Sequence, residues 1–140
     1  LGTYDPLIIL SFLSLIWISD SAAYVFGVTF GKRPLFKTVS PKKSIEGFIG
    51  GLSFAIMLSI IFSFYLSLNI TLIQWIILGL LTGCTGTLGD LVQSQFKREA
   101  GVKDSGNLLP GHGGLYDRMD SIIFAAPIIY LTLTIFNYVS

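Results

Sequence analysis

Four long apolar runs constrain this chain more than any other feature of its sequence. They cover residues 7–30, 45–68, 72–88 and 121–139. A transmembrane helix needs about 20 predominantly apolar residues, and the short third run can continue as a helix to Arg98. Only 12% of the residues are charged, against about 25% in soluble domains. The sequence therefore predicts an all-α polytopic membrane protein with four transmembrane helices, in a single membrane-embedded domain over residues 1–140.

The cationic residues indicate how the helices are oriented. All nine Lys and Arg residues follow the first or the third run: Lys32, Arg33, Lys37, Lys42, Lys43, Lys97, Arg98, Lys103 and Arg118. Basic loops stay on the cytoplasmic side, so both loops are predicted to be cytoplasmic, with residues 67–71 as a tight turn on the other side. A net charge of only +1 and a surface that faces lipid argue against nucleic-acid binding.

Small residues recur at helical spacing in three of the runs. The pairs are Gly27 and Gly31, Gly47 and Gly51, and Gly79 and Gly83. Such pairs let helices approach closely in lipid. We interpret them first as packing contacts within the chain, and the same faces are candidates for dimerisation.

Asp20 is an ionisable residue inside the first run. At a rise of 1.5 Å per residue it lies roughly 16 Å before the basic end of that helix, near the centre of a bilayer. A carboxylate there costs at least ~2.5 kcal/mol, so it must face a polar interior, together with Tyr24 one turn later. It is either a protonated group that is hydrogen-bonded between helices or part of a cavity wall or ion site.

The first loop places two lysines just before a helix start. Lys42 and Lys43 precede Ser44, and Glu46 follows in the first helical turn. The free N–H groups of such a start favour anions. A simpler alternative is that the lysines contact anionic lipid head groups.

The second loop carries carboxylates beside cations. On a continued third helix, Asp90, Ser94, Lys97 and Arg98 share one face, because they are four, seven and eight residues apart. Carboxylates among cations suit a nucleoside triphosphate with a hard metal ion, since Mg²⁺ prefers one or two carboxylates plus phosphate oxygens.

The rest of this loop continues the same chemistry. Asp117 and Asp120, three apart at the start of the fourth helix, can share a face. His112 either hydrogen-bonds a phosphate, carries a proton or orders the loop. Four glycines in this loop allow a ligand to approach the backbone closely: Gly106, Gly111, Gly113 and Gly114.

These motifs resemble the phosphatidate cytidylyltransferase family. The residues that carry the resemblance in the second loop are Ser94, Lys97, Arg98, Lys103, Asp104, Pro110, His112, Gly113, Gly114, Asp117, Arg118 and Asp120. Residues 17–24 and 40–47 also match, with Ser44 where the family more often has Thr. Enzymes of this family are longer and have additional N-terminal transmembrane helices, so we expect this chain to be a fragment of such a protein.

The resemblance implies a Mg²⁺-dependent reaction of CTP with phosphatidic acid that gives CDP-diacylglycerol and pyrophosphate. It also implies a homodimer in a bacterial cytoplasmic membrane, and it leaves open a second, monovalent cation such as K⁺. The implied metal ligands are Asp90 and Asp117, and Asp104 and Asp120 are implied either to hold those ligands in place or to bind the metal instead of them. The groups implied to act on the triphosphate and pyrophosphate are Lys97, Arg98, Lys103, His112 and Arg118. The implied substrate-binding residues are Asp20, Tyr24, Lys42, Lys43, Ser44, Ser94, Gly113 and Gly114.

Three other functions remain open from the sequence. A CTP-dependent polyprenol kinase or a cytidylyltransferase for another lipid phosphate would share the cationic loops. A transporter using Asp20 and Asp90 as an ion path predicts paired repeats, which the sequence does not contain. Simple docking to anionic lipid leaves the loop carboxylates unexplained.

Overall fold

The fold consists of four helices and one short hairpin. A computed structural model describes residues 6–36, 39–66, 68–101 and 116–139, with side chains at all of these positions except 41, 42, 116–118, 120 and 137–139. The elements are α1 (Pro6–Phe30), β1 (Pro34–Phe36), β2 (Ser40–Ser44), α2 (Ile45–Tyr65), α3 (Leu72–Glu99) and α4 (Tyr116–Val139). The predicted set of four helices is confirmed. The hairpin was not predicted.

Three of the helices, α1, α2 and α3, are long and apolar enough to cross a membrane. The fourth predicted span corresponds to α4, whose apolar part in the described residues, Ser121–Phe136, is shorter. α4 begins before the apolar run that predicted it, because Tyr116 to Asp120 form its first turns. These helices make the chain an integral membrane protein.

α3 continues past its apolar run, as the sequence predicted. Its 28 residues extend about 42 Å at 1.5 Å per residue, which is more than the ~30 Å hydrocarbon core of a bilayer. Thr71 begins the helix with a capping box in which Thr71 and Gln74 satisfy each other's backbone N–H groups. Lys97 and Arg98 occupy its last turn, where cations favourably meet the helix dipole.

The hairpin connects α1 to α2. Its strands are antiparallel, with Pro34 opposite Ser44 and Phe36 opposite Ser40. Ser44 ends β2 and is also the N-cap of α2, since its Oγ accepts a hydrogen bond from the Gly47 N–H at 3.1 Å. The last strand residues therefore have a fixed position relative to the start of α2.

α1 and α2 approach closely through their glycines. A Cβ atom at Gly47 would lie 2.7 Å from the Ala23 carbonyl oxygen, and one at Gly51 would lie 2.7 Å from that of Ser19. α2 and α3 meet in the same way, because a Cβ at Gly79 would lie 2.6 Å from the Ser59 Oγ. The packing interpretation of these glycines is confirmed, and they form contacts within one chain.

Large side chains pack the half of the bundle that is remote from the hairpin. Leu15, Trp75, Leu78 and Ile129, from α1, α3 and α4, are at most 5% exposed, and we call them the apolar core cluster. The Trp75 ring also meets Phe62 of α2 edge to face, with centroids 5.6 Å apart. This cluster joins all four helices.

Candidate functional site

Polar side chains from three helices and the hairpin meet near the hairpin. The Lys43 ammonium group, at the end of β2, forms an ion pair with the Asp90 carboxylate of α3. Asp20 of α1 lies within electrostatic range of both charges and accepts a hydrogen bond from the Ser121 hydroxyl of α4. We call Lys43, Asp90, Asp20 and Ser121 the polar cluster.

The polar cluster is accessible from outside the bundle. The Lys43 and Asp90 side chains are 26% and 37% exposed. Ser121 is 4% exposed, so it forms the buried wall of the site. The Lys43 ammonium group and the Asp90 carboxylate therefore keep surface that a ligand can contact.

The ion pair joins the two segments that the sequence separates by a whole helix. Lys43 is 47 residues before Asp90, and the sequence alone gave only their types and local spacing. α2 crosses the bundle and α3 returns beside it, so both residues come to the same end. The role of Lys43 toward a substrate stays a prediction.

Asp20 does not stand alone in the bundle. Its bond from Ser121 and its proximity to Lys43 provide the polar interior that a carboxylate inside a membrane helix requires. Ser121 was missed by the sequence reasoning, because a serine that begins an apolar run has no local motif. Tyr24, one turn further along α1, has a 72% exposed side chain.

Two predicted substrate ligands use their hydroxyl groups in local structure. The Ser94 Oγ donates to the Asp90 carbonyl oxygen at 2.7 Å, within α3. The Ser44 side chain is 8% exposed, and its Oγ caps α2. Their roles toward a substrate stay predictions, and the contacts seen here position Lys43 and Asp90.

Lys97 and Arg98 lie on the last turn of α3, beyond Asp90. Seven and eight residues of helix separate them from Asp90, about 10 to 12 Å along the axis. Arg98 is exposed and Lys97 is half-buried. A molecule as long as a triphosphate with its nucleoside can reach from the polar cluster toward these cations.

The remaining predicted site residues lie outside the described part of the structure. The whole residues are Lys103, Asp104, His112, Gly113 and Gly114, and those whose side chains alone are outside it are Lys42, Asp117, Arg118 and Asp120. Their assignments stay predictions.

The donor atoms of the polar cluster are suited to a hard cation. Asp90 and Asp20 provide carboxylate oxygens and Ser121 provides a hydroxyl oxygen, and Mg²⁺ takes oxygen ligands from one or two carboxylates, substrate phosphates and water. Within the described residues no three Asp, Glu, His or Cys side chains group together. The predicted ligands Asp104, Asp117 and Asp120 lie outside these described side chains, and their part in holding magnesium stays a prediction.

The sequence was also compared with known proteins. A profile of the cytidylyltransferase family matches residues 3–136. The chain is 46% identical over 123 residues to a phosphatidate cytidylyltransferase of Bacillus subtilis (strain 168), covering 88% of this chain and 46% of that protein. The enzyme of the same name from Staphylococcus haemolyticus is 44% identical over 119 residues, covering 85% and 46%.

A third relative gives the same result. The phosphatidate cytidylyltransferase of Staphylococcus aureus (strain COL) is 46% identical over 121 residues, with 85% of this chain and 46% of that protein covered. The chain thus spans about half the length of the curated relatives it matches. The family profile, which matches residues 3–136, covers the polar cluster and all nine Lys and Arg residues.

Proposed function

Because this chain belongs to the cytidylyltransferase family, we propose that the polypeptide containing it transfers CMP from CTP to phosphatidic acid. The observation that carries this proposal is the Lys43–Asp90 ion pair, which places a cation and a carboxylate from separate segments at one accessible position. The names of the relatives support the choice of phosphatidate as the lipid.

In the proposed reaction, a phosphate oxygen of phosphatidic acid attacks the α-phosphorus of CTP. A new P–O bond forms, the bond between the α-phosphorus and the bridging oxygen breaks, and pyrophosphate leaves with that electron pair. The acceptor phosphate is already a nucleophile, so no covalent enzyme intermediate is needed. The chain's own contribution is positioning and charge stabilisation.

Each residue of the polar cluster has a proposed role in this reaction. Lys43 binds a phosphate oxygen of CTP and stabilises the charge on the leaving pyrophosphate. Asp90 would hold Mg²⁺, with Asp20 beside it, and a bound Mg²⁺ would neutralise charge on the triphosphate. Ser121 holds the Asp20 carboxylate toward this position.

We further propose that the polypeptide is a homodimer in a bacterial membrane. The two loops that carry its Lys and Arg residues would lie on the cytoplasmic side. All nine Lys and Arg residues follow the apolar run of α1 or that of α3, and this supports the orientation. The glycine faces that were candidates for dimerisation pack within the chain, so a dimer would use other surfaces. Labelling of Lys37→Cys and Asn69→Cys from each side of sealed vesicles, each with Cys84→Ala so that one cysteine of the chain reacts, tests the orientation.

The activity test uses the complete natural polypeptide in detergent micelles with CTP, phosphatidic acid and Mg²⁺. We expect CDP-diacylglycerol and pyrophosphate in equal amounts, and loss of about 100- to 1000-fold of the rate in Asp90→Asn, which removes electrostatic stabilisation of the transition state. Glu99→Gln is the matched control, because it makes the same acid-to-amide change at an exposed position of α3. It should keep the wild-type rate.

Other outcomes identify the rivals. Product from a polyprenol or another lipid phosphate, and none from phosphatidate, would assign a different acceptor. Ion flux in proteoliposomes without CTP turnover would favour a transporter. A folded Asp90→Asn protein with the wild-type rate would remove Asp90 from the site.

A further inference from the structure

Glu46 ties the end of α1 to the start of α2. Its Oε2 atom accepts hydrogen bonds from two backbone N–H groups, those of Lys32 at 3.1 Å and Arg33 at 3.3 Å. Both N–H groups follow the last residue of α1, and Glu46 is in the first turn of α2. One carboxylate oxygen therefore connects the two helices across the base of the hairpin.

Further contacts hold the same corner. The Ile45 N–H donates to the Arg33 carbonyl oxygen at 2.9 Å. The Ser44 Oγ lies beside Gly31, where an added Cβ would come within 2.8 Å of it. The backbone that follows Lys43 is thus fixed to the segment after α1 as well as to α2.

The position of this corner determines where the Lys43 ammonium group can lie. Lys43 directly precedes Ser44 and Ile45, and it reaches α3 to pair with Asp90. A lysine side chain has about 2 kcal/mol of rotamer entropy, so its stem does not by itself fix the ammonium group. The backbone must be held at the correct distance and angle for the pair to form.

We propose that Glu46 is a positioning residue that holds the hairpin so that Lys43 meets Asp90 and the phosphates of the bound nucleotide. The nucleotide part of this statement rests on the proposed function. Glu46 contacts backbone N–H groups of the corner and acts on the ligand through Lys43. A carboxylate at a helix start also interacts with the helix dipole, but that effect alone would stabilise α2 without placing Lys43.

The test is a double-mutant cycle on the complete natural polypeptide in detergent. The Kd for CTP of each variant is measured by equilibrium dialysis. We expect the Kd for CTP to rise about tenfold in Glu46→Ala, because a displaced binding group loses its alignment, and about 30-fold in Lys43→Ala. The double variant should equal Lys43→Ala alone, since coupled residues are not additive. A role of Glu46 in stability alone would instead leave the Kd of the folded Glu46→Ala protein unchanged.

Conservative variants and a control complete the cycle. Glu46→Gln keeps an acceptor oxygen at the same position and should raise the Kd only about two- to threefold, because hydrogen bonds to a charged acceptor are roughly twice as strong as neutral ones. Glu46→Asp keeps the charge but is too short, and should behave like Glu46→Ala. Glu99→Ala removes the other glutamate of the chain, which accepts from the Gln95 Nε2, and should leave the Kd unchanged.

Additive effects of Glu46→Ala and Lys43→Ala, or an unchanged Kd in Glu46→Ala, would overturn the proposal. If Glu46→Ala does not accumulate as folded protein, the same cycle is measured with Glu46→Gln. Additive effects of Glu46→Gln and Lys43→Ala would then overturn the proposal. Wild-type protein that binds CTP but makes no CDP-diacylglycerol would contradict the proposed function alone. If the wild-type enzyme is active and Glu46→Ala does not change the Kd for CTP, only the proposed role of Glu46 is contradicted.

Discussion

The two ends of the helix bundle are packed in different ways. At the apolar core cluster, large side chains such as Trp75 and Leu15 fill the space between helices and are 2% exposed. Near the polar cluster, glycines bring the backbones of α1 and α2 together, and the charged groups Lys43 and Asp90 are 26% and 37% exposed. Large apolar side chains fill the space between helices at one end, and partly exposed charged groups lie at the other.

This difference assigns stability mainly to the apolar core cluster and the proposed chemistry to the polar cluster. Close backbone packing needs no large side chain, so α1 and α2 meet through Gly47 and Gly51 without a bulky side chain between them. Large interlocking side chains at the opposite end hold four helices in one arrangement. We therefore expect substitutions at the two ends to have distinct effects.

The largest effect is expected at the apolar core cluster. Leu15→Ala should lower the free energy of unfolding by about 2–5 kcal/mol, because the cavity left behind cannot fully collapse. The rate per folded molecule should stay at the wild-type value. Thermal unfolding in detergent and an activity assay on the folded fraction measure the two quantities.

Leu10→Ala is the matched control for this change. Leu10 is on the same helix but is 62% exposed, so its truncation should alter stability by less than about 0.5 kcal/mol. Equal losses at both positions would show that the apolar core cluster is not the main packing site of α1.

Lys43→Ala should show the opposite pattern. We expect kcat/KM for CTP to fall about 30-fold, close to 2 kcal/mol of transition-state stabilisation, since a charge-assisted contact to phosphate is lost. The unfolding temperature should change little, because the ion pair with Asp90 is partly exposed and such pairs contribute about 0–1 kcal/mol. A loss of stability without a loss of catalysis would make this ion pair structural.

Gly51→Ala tests whether the close contact of α1 and α2 is required. The new Cβ would lie 2.7 Å from the Ser19 carbonyl oxygen and 2.9 Å from the Ala23 Cβ. Such overpacking costs about 1–3 kcal/mol, which should exceed the gain of up to ~1 kcal/mol in helix propensity. Stability is measured by thermal unfolding in detergent.

Gly86→Ala makes the same chemical change where space is available. Its Cβ would meet only the Ser121 Cβ, at 3.7 Å, which is an ordinary contact. This variant should be as stable as wild type or more stable by up to ~1 kcal/mol. If Gly51→Ala is equally tolerated, the glycine contact is not what holds α1 against α2.

Ser121→Ala should have the smallest effect. It removes the hydrogen bond to Asp20, and hydrogen bonds between membrane helices contribute about 0.6 kcal/mol on average. We expect a roughly threefold lower kcat/KM at most, with Ser121→Thr restoring it. A loss as large as that of Lys43→Ala would place Ser121 in direct contact with the ligand.

Several features of the site were predictable because they depend on nearby residues. The extension of α3 through Asp90 to Arg98 follows from helical spacing and is seen in the structure. The capping position of Ser44 and the first-turn position of Glu46 also belong to local sequence. What the hydroxyl of Ser94 would contact was not predictable, because donation to the Asp90 carbonyl oxygen competes with binding to a substrate.

The sequence by itself determined the helices of this protein, the membrane class and the family, because apolar run length, charge placement and motif spacing are properties of neighbouring residues. Only the tertiary structure decided that Lys43 pairs with Asp90, that Ser121 binds Asp20 and that Glu46 holds the end of α1. These contacts join residues on separate elements. Their formation depends on how closely the glycines let the helices approach and on where the hairpin is fixed, and neither is encoded in any single segment.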